Sequence, residues 1–229
     1  MQVIQDIRDK FLELKQTEQY VTDKSGCKML EVIGETFICD ENTIFGELNH
    51  DYIKKELDWY NSESLNVYDI PGGPPKIWEM VSDGAGIINS NYGWCVYSKK
   101  NHYQYVKVLE TLKTTPDSRQ AVMIYTRPTM HEDATENGRS DFMCTNAVQY
   151  MIREGVLHAI VQMRSNDVIF GFRNDFAWQD HVAEKLQVTL GLDGRKVIWH
   201  VGSLHVYERH FNLIQHENTE MGQQLSLFS

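Results

Sequence analysis

The chain has 229 residues, enough for one large domain with a substantial buried core. It is 41% hydrophobic and 24% charged, with a formal net charge of −10 and no basic run, which disfavours a grip on duplex nucleic acid. No apolar stretch approaches membrane-spanning length and the charged N-terminus lacks the apolar core of a secretory signal, so the cytoplasm is the expected compartment, a host cytoplasm if the source is viral.

In chain order, residues 3–20 place Ile4, Ile7, Phe11 and Leu14 at helical spacing. Asp23-Lys24-Ser25-Gly26 reads as a turn, and the apolar alternation of Met29–Cys39 as a strand. Asp51–Tyr60 reads as a helix with Ile53, Leu57 and Tyr60 along one side, and the proline- and glycine-rich Ile70–Lys76 as a loop. Ala121–Pro128 suggests a buried strand, and the polar Met130–Ser140 an exposed loop. Asn146–Ile152 and Leu157–Ser165 read as strands joined by a hairpin at Arg153-Glu154-Gly155. A helical pattern begins at Asp175 and ends near Gly191, and Lys196–Tyr207 reads as a last strand. Strands and helices intermix without strict alternation, which predicts an α+β or mixed-sheet α/β fold in a single domain over residues 1–229.

The four cysteines, Cys27, Cys39, Cys95 and Cys144, show neither zinc-knuckle nor redox-pair spacing, so free thiols and no metal are expected. Free cysteines are most often inert buried hydrophobes, and Cys144 has to be argued against that background. Its neighbourhood supplies the argument. Between Asp141 and Trp178 the chain places a cysteine able to act as nucleophile, an arginine (Arg164) able to bind an anion and an aspartate (Asp175) able either to read a base or to cap a helix.

That stretch, with KELDWY (Lys55–Tyr60), NSNYGW (Asn89–Trp94), PDSR (Pro116–Arg119) and GSLHVYERH (Gly202–His210), resembles the thymidylate synthase superfamily. Within it the pattern is similar to the deoxycytidylate hydroxymethylases of T-even-type phages, from about Lys24 to His210. The resemblance implies a mixed sheet flanked by helices, homodimers joined through their sheets, and transfer of a one-carbon unit from 5,10-methylenetetrahydrofolate to C5 of a pyrimidine nucleotide. Addition of water would give 5-hydroxymethyl-dCMP. It implies Cys144 as the nucleophile at C6, Glu56 as the group organising water and proton transfer, and Asp175 as the reader of cytosine, where synthases carry asparagine.

For the nucleotide phosphate it implies Lys24, Arg164 and Ser165 from one subunit and Arg119 from the partner. His205 and Tyr207, on one side of a strand, would meet the sugar hydroxyl. The folate region would hold Ile77, Trp78, Asp167, Phe170 and Gly171, although Trp78 and Phe170 read equally well as core residues. The chain departs from the family pattern at Gln120, where a second arginine is usual, at Thr145 and at Met163. It also ends in MGQQLSLFS, without the synthase C-terminal sequence that closes the site against water, and a wetter site suits hydroxymethylation. Rival readings on the same fold are a CMP hydroxymethylase, a dCMP methylase and a thymidylate synthase. A rival of another class is a non-catalytic nucleotide- or RNA-binding relative.

Overall fold

The computed structural model describes residues 1–215, and the terminal MGQQLSLFS lies outside the described residues. Seven strands form one mixed sheet: β1 (Gln2–Val3), β2 (Val21–Thr22), β3 (Lys28–Ile38), β4 (Val122–Ile124), β5 (Thr145–Arg153), β6 (Val156–Asp167) and β7 (Gly194–Tyr207). The order is β1-β3-β7-β6-β5-β4, with β2 paired to β3; β1 runs parallel to β3 and β6 parallel to β7, and the other pairs are antiparallel. Seven α-helices accompany it among the described residues: α1 (Ile4–Gln16), α2 (His50–Asn61), α3 (Lys76–Val81), α4 (Tyr92–Tyr97), α5 (Gln104–Thr114), α6 (Met130–Asp133) and α7 (Gly171–Leu190).

The hairpin between β5 and β6 turns through Glu154 (φ 52°) and Gly155 (φ 75°), two left-handed residues whose twist matches that of the strands. The long helix α7 carries the chain from β6 to its parallel neighbour β7, as a parallel pair requires. It buries Phe172, Phe176, Trp178, Val182, Ala183 and Leu186. These pack with Leu157, Ala159 and Val161 of β6 and Val197, Trp199 and Val201 of β7 in one core.

A shared kink interrupts this pleating. On β6 the buried positions run Leu157, Ala159, Val161, Met163 and then skip to Asn166; on β7 they run Val197, Trp199, Val201 and then skip to Leu204 and Val206. The register is unbroken across the step, with Met163 opposite Val201 and Ser165 opposite Ser203. Both strands therefore change face at one level. On β3 the same level holds Gly34, at φ +72° between the pairs Ile33–Ser203 and Glu35–Val201. A Cβ on Gly202 would stand 2.9 Å from the Arg164 carbonyl oxygen, so the glycine permits the close approach of the two backbones.

Several predicted elements need correction. Ala121–Pro128 contributes only a three-residue edge strand, with Ile124 58% exposed; the side-chain amide of Gln104 pairs with both backbone groups of Ile124. Met130–Ser140 is not a plain exposed loop, because α6 and a 3₁₀ turn lie within it and Met130 and Ala134 are buried. The buried face of α2 is Glu56, Trp59 and Tyr60, whereas Ile53 and Leu57 are only half-buried. Helix α7 starts four residues before Asp175.

Helices α2 and α4 touch backbone to backbone. A Cβ on Gly93 would meet the Tyr60 carbonyl oxygen at 1.7 Å. Gly93→Ala should therefore force the helices apart and cost about 3 kcal/mol or more of stability. Urea unfolding of the variant measures this directly; a midpoint equal to that of the parent would refute the packing argument.

Candidate active site

Cys144 sits at the mouth of β5, partly open to solvent between the buried Met143 and Thr145. The segment before it is pinned by Asp141, a buried carboxylate that accepts from the backbone N–H of Asn89 (2.5 Å), the N–H of Ser90 (2.9 Å) and the Ser90 hydroxyl (2.5 Å). Asn91, fully buried, caps α4 through Trp94 N–H (2.7 Å) and donates to the carbonyls of Trp59 (3.1 Å) and Ser64 (2.8 Å). The NSN sequence thus ties the cysteine loop, α2 and α4 together.

Arg164 reaches the same loop from the kinked part of β6. Its Nε donates to the Met143 carbonyl (3.0 Å), its Nη2 to the Phe142 carbonyl, and Nη2 lies 3.6 Å from Cys144 Sγ. Burial pushes the Cys144 thiol up to about 11; the Arg164 guanidinium opposes this, while Asp175 and Asp141 reinforce it. The thiolate therefore needs further positive charge, or removal of negative charge, to be populated near neutrality.

Asp175 lies on the second turn of α7 and accepts from Asn166 Nδ2 at 2.7 Å. Its carboxyl rises to about 7, chiefly by burial and then by the neighbouring Glu56, with Tyr92 and Asn166 pulling it down. The capping alternative for Asp175 fails: Asp167 Oδ1 accepts from the N–H groups of Ile169 (3.0 Å), Phe170 (2.6 Å) and Gly171 (3.3 Å), so Asp167 opens the helix. Asp175 is released from structural duty and turned towards Tyr92, which also faces Thr145 and Cys144.

Glu56 is 5% exposed. Its Oε1 accepts from the Tyr52 hydroxyl (2.7 Å) and from Trp78 Nε1 (3.3 Å), which also lies 3.0 Å from the Tyr52 oxygen. Burial lifts this carboxyl to about 7 against those two hydrogen bonds. Two coupled carboxyls thus titrate close to neutrality around one cysteine, an arrangement suited to moving protons at that pH.

The remaining candidates fall around this centre. His205 lies opposite Asp167 on the paired strands and packs edge-on against Tyr207 (ring centroids 5.2 Å apart), with its Nδ1 buried and unpartnered. Tyr207 faces Asp23, whose carboxylate holds the Lys24 turn through Ser25 N–H (2.8 Å), Ser25 hydroxyl (2.6 Å) and Cys27 N–H (2.9 Å). Lys24 itself is exposed and makes no ion pair with a described residue; the Ser165 side chain is half-buried beside Arg164. Ile77 (59%) and Phe170 (42%) are exposed apolar side chains, and Trp78 is half-buried against Trp59. Gly171 lies in the helix start, where an added Cβ would crowd Asn166 Nδ2 at 3.1 Å.

Arg119 is not brought in. Its carbonyl accepts from Gln149 Nε2 (2.8 Å), five residues along β5 from Cys144, which is roughly 17 Å of strand. Sequence reasoning missed Asn166, Tyr92, Tyr52 and Asp141. The sequence places Tyr52 four residues before Glu56 on a predicted helix, a spacing that could have found it; Tyr92 and Asp141 act across long separations in the chain, and Asn166 reaches Asp175 nine residues on only because of the kink in β6.

The thymidylate synthase family model matches residues 15–226. The chain belongs to the thymidylate synthase family. Deoxycytidylate 5-hydroxymethyltransferase of Enterobacteria phage T4 is 53% identical over 212 residues, covering 90% of this chain and 86% of that protein; the phage T2 enzyme matches equally. Thymidylate synthase of Bacillus subtilis subsp. natto is 30% identical over 168 residues, covering 69% of this chain and 57% of that one. The observed mixed sheet with flanking helices accords with the fold expected of this family. Among the described residues, no helix is long and apolar enough to cross a membrane.

The raised carboxyls have a stability consequence with a definite sign. Glu56 rises from an ordinary 4.5 to about 7 in the folded chain, so its ionisation opposes folding: the penalty is absent below about 4.5, grows through that window and is complete above about 7. Glu56→Gln keeps an acceptor for Tyr52 and removes the charge. The variant should exceed the parent in stability by about 1–3 kcal/mol at pH 8, with the gain vanishing near pH 4. Urea unfolding at both pH values tests this, and a variant less stable than the parent at pH 8 would contradict it.

Proposed function

We propose that this chain is a deoxycytidylate 5-hydroxymethyltransferase, a single catalytic domain acting as a homodimer on dCMP. The observation that carries the choice of base is Asp175, a carboxyl near pH 7 held by Asn166 and facing Tyr92 beside Cys144. Cytosine offers N4–H₂ as donor and N3 as acceptor. The protonated carboxyl can donate to N3 while its carbonyl oxygen accepts from N4. As the Cys144 sulfur bonds to C6, N3 gains basicity and takes the proton, leaving a charge-assisted pair that is stronger than the one it replaced. A carboxyl with its ordinary low value would be deprotonated at neutral pH and unable to make that donation.

The other residues divide the work. Arg164, anchored on Phe142 and Met143, stabilises the thiolate and is positioned to bind the nucleotide phosphate with Lys24 and Ser165. Arg119, some 17 Å of strand from its own Cys144, serves the partner's site in this reading. Gln120 contributes no charge there, so the site has one cation fewer than the usual family pattern. His205 and Tyr207 suit the sugar hydroxyl. Glu56, with one oxygen fixed by Tyr52 and Trp78, accepts the C5 proton through water and orders the water that supplies the hydroxyl.

What supports a folate site is that Ile77, next to the half-buried Trp78, and Phe170, at the start of α7, both leave apolar surface exposed, as a flat ring system requires. When bound, 5,10-methylenetetrahydrofolate supplies the one-carbon unit. Asp167 Oδ1 is committed to the start of α7, which leaves Oδ2 for a ring N–H of the folate.

Incubation with dCMP, CMP and dUMP, each with methylenetetrahydrofolate, should yield a hydroxymethyl product from dCMP, identified by mass. Formation of a methyl product, preference for CMP or dUMP, or no product at all would each replace the proposal with one of its rivals. Asp175→Asn should shift the preference from dCMP towards dUMP; an unchanged ratio of kcat/KM values would remove Asp175 from base reading. Cys144→Ser should abolish turnover while retaining dCMP binding by calorimetry, and retained turnover would sink the nucleophile assignment.

A further inference from the structure

Glu56 is held unequally. Its Oε1 takes both the Tyr52 hydroxyl, at 2.7 Å, and Trp78 Nε1, at 3.3 Å, and Trp78 Nε1 is also 3.0 Å from the Tyr52 oxygen. The three groups close a triangle on one oxygen. No described residue donates to Oε2. Tyr52 lies four residues before Glu56, so the two side chains share a face of α2, and Asn49 fixes the start of that helix by capping the Tyr52 N–H at 3.0 Å.

We propose that Tyr52 is the positioning residue for Glu56: its hydroxyl fixes Oε1 and thereby commits Oε2 to the water and proton that the hydroxymethyl transfer must handle. The inference rests on the proposed activity and adds to it a residue that never touches the substrate. A carboxylate free to rotate presents either oxygen, or neither, to a water; with Oε1 tied at two points the rotation is lost before substrate arrives. The phenol suits the task because it stays protonated. Burial and the neighbouring Glu56 push its own ionisation well above the ordinary range, so it remains a donor through the whole titration of the carboxyl. Trp78, which cannot ionise, braces the tyrosine from the other side.

The role also sets the proton affinity of Glu56. Burial raises that carboxyl, and the Tyr52 hydrogen bond is the largest influence opposing the rise. A tyrosine that merely filled space would have no such effect. Phenylalanine fills the same half-buried space without the hydroxyl, so Tyr52→Phe separates the two roles.

Two measurements test the proposal. In the first, the Glu56 carboxyl is titrated by carbon-13 NMR in the free protein, with glutamate labelled and Glu56→Gln used to assign the signal. Tyr52→Phe should raise the midpoint by about one pH unit, and Trp78→Phe, which removes the longer contact, by less. In the second, kcat for dCMP in Tyr52→Phe should fall about tenfold at neutral pH with KM within about twofold, since ground-state binding is spared. The acidic limb of its pH–rate profile should move upward with the NMR midpoint. An unmoved midpoint, or a profile that superimposes on that of the parent, overturns the proposal. Absence of hydroxymethyl product from the parent enzyme would instead strike the proposed function, and the NMR titration would still decide whether Tyr52 controls the carboxyl.

Discussion

The close approach of Gly202 to the carbonyl of Arg164 is the contact on which the site depends. A side chain at position 202 would meet that oxygen at 2.9 Å, so the two backbones come together only because one of them carries hydrogen there. At that level β3, β6 and β7 change face together while their register is kept. The consequence is local and large. Before the step β6 presents Met163 to the core, and after it Asn166, a buried amide that reaches Asp175. At the step itself Arg164 is turned to the Cys144 loop. One backbone feature thus places the guanidinium, the amide and, through β7, the His205–Tyr207 pair. A straight sheet would have continued to alternate apolar and polar and would have offered none of these to a common centre.

Around that centre the fold carries a cost that only function explains. Two carboxyls are buried near one another and near a thiol, and each raises the proton affinity of another: Glu56 that of Asp175, and Asp175 that of Cys144. The large aromatic cluster beside them, in which Trp59, Tyr92 and Trp178 all pack on Tyr60, excludes water and so lowers the screening between these groups. The system is poised. A deprotonated Asp175 disfavours the thiolate, and a proton on Asp175 favours it. In the reading proposed above, cytosine receives that proton as the sulfur bonds to carbon, so the charge that would oppose the thiolate appears only after the thiolate has been consumed.

Much of the architecture was legible in the sequence because local signals and burial agreed. The hairpin at Glu154-Gly155 needed two left-handed residues and had them. Where burial and pattern disagreed, the reading failed. On α2 the apolar periodicity pointed to Ile53 and Leu57, yet the buried face carries Glu56, because a site buries a carboxylate that hydrophobic spacing cannot anticipate. Asp175 could be read as a helix cap or a base reader, but Asp167, four residues before the first helical residue, accepts the N–H groups of the helix start, and α7 begins ahead of Asp175. The kink was hidden for a different reason. Gly34 and Gly202 are unremarkable as single glycines in strands, and their meaning appears only when strands distant in sequence lie side by side. Cys144, Arg164 and Asp175 were found because the family pattern names them; Asn166 and Asp141 lie close to them in sequence and Tyr92 far off, but none of the three carries a local signature of its role.

The charge balance bears on assembly. A chain with net charge −10 must bind an anionic nucleotide with a few focused cations. In the proposed reading those in one subunit are Arg164, which already spends Nε and Nη2 on backbone carbonyls, and the exposed Lys24. Arg119 is held beside the middle of β5, away from Cys144, by the Gln149 contact to its backbone. A site built from Arg164 and Lys24 alone would leave a doubly charged phosphate under-compensated on a chain of net charge −10. In the proposed reading a second subunit, related by a two-fold axis across the open face of the sheet, brings its Arg119 where the first cannot, and each subunit completes the other. The half-buried and exposed apolar residues on that face, Ile33, Ile160 and Ile198, are side chains that such a pairing would cover. In that reading dimerisation is part of the phosphate chemistry, and with Gln120 where the family pattern has a second arginine, Arg119 carries more of it.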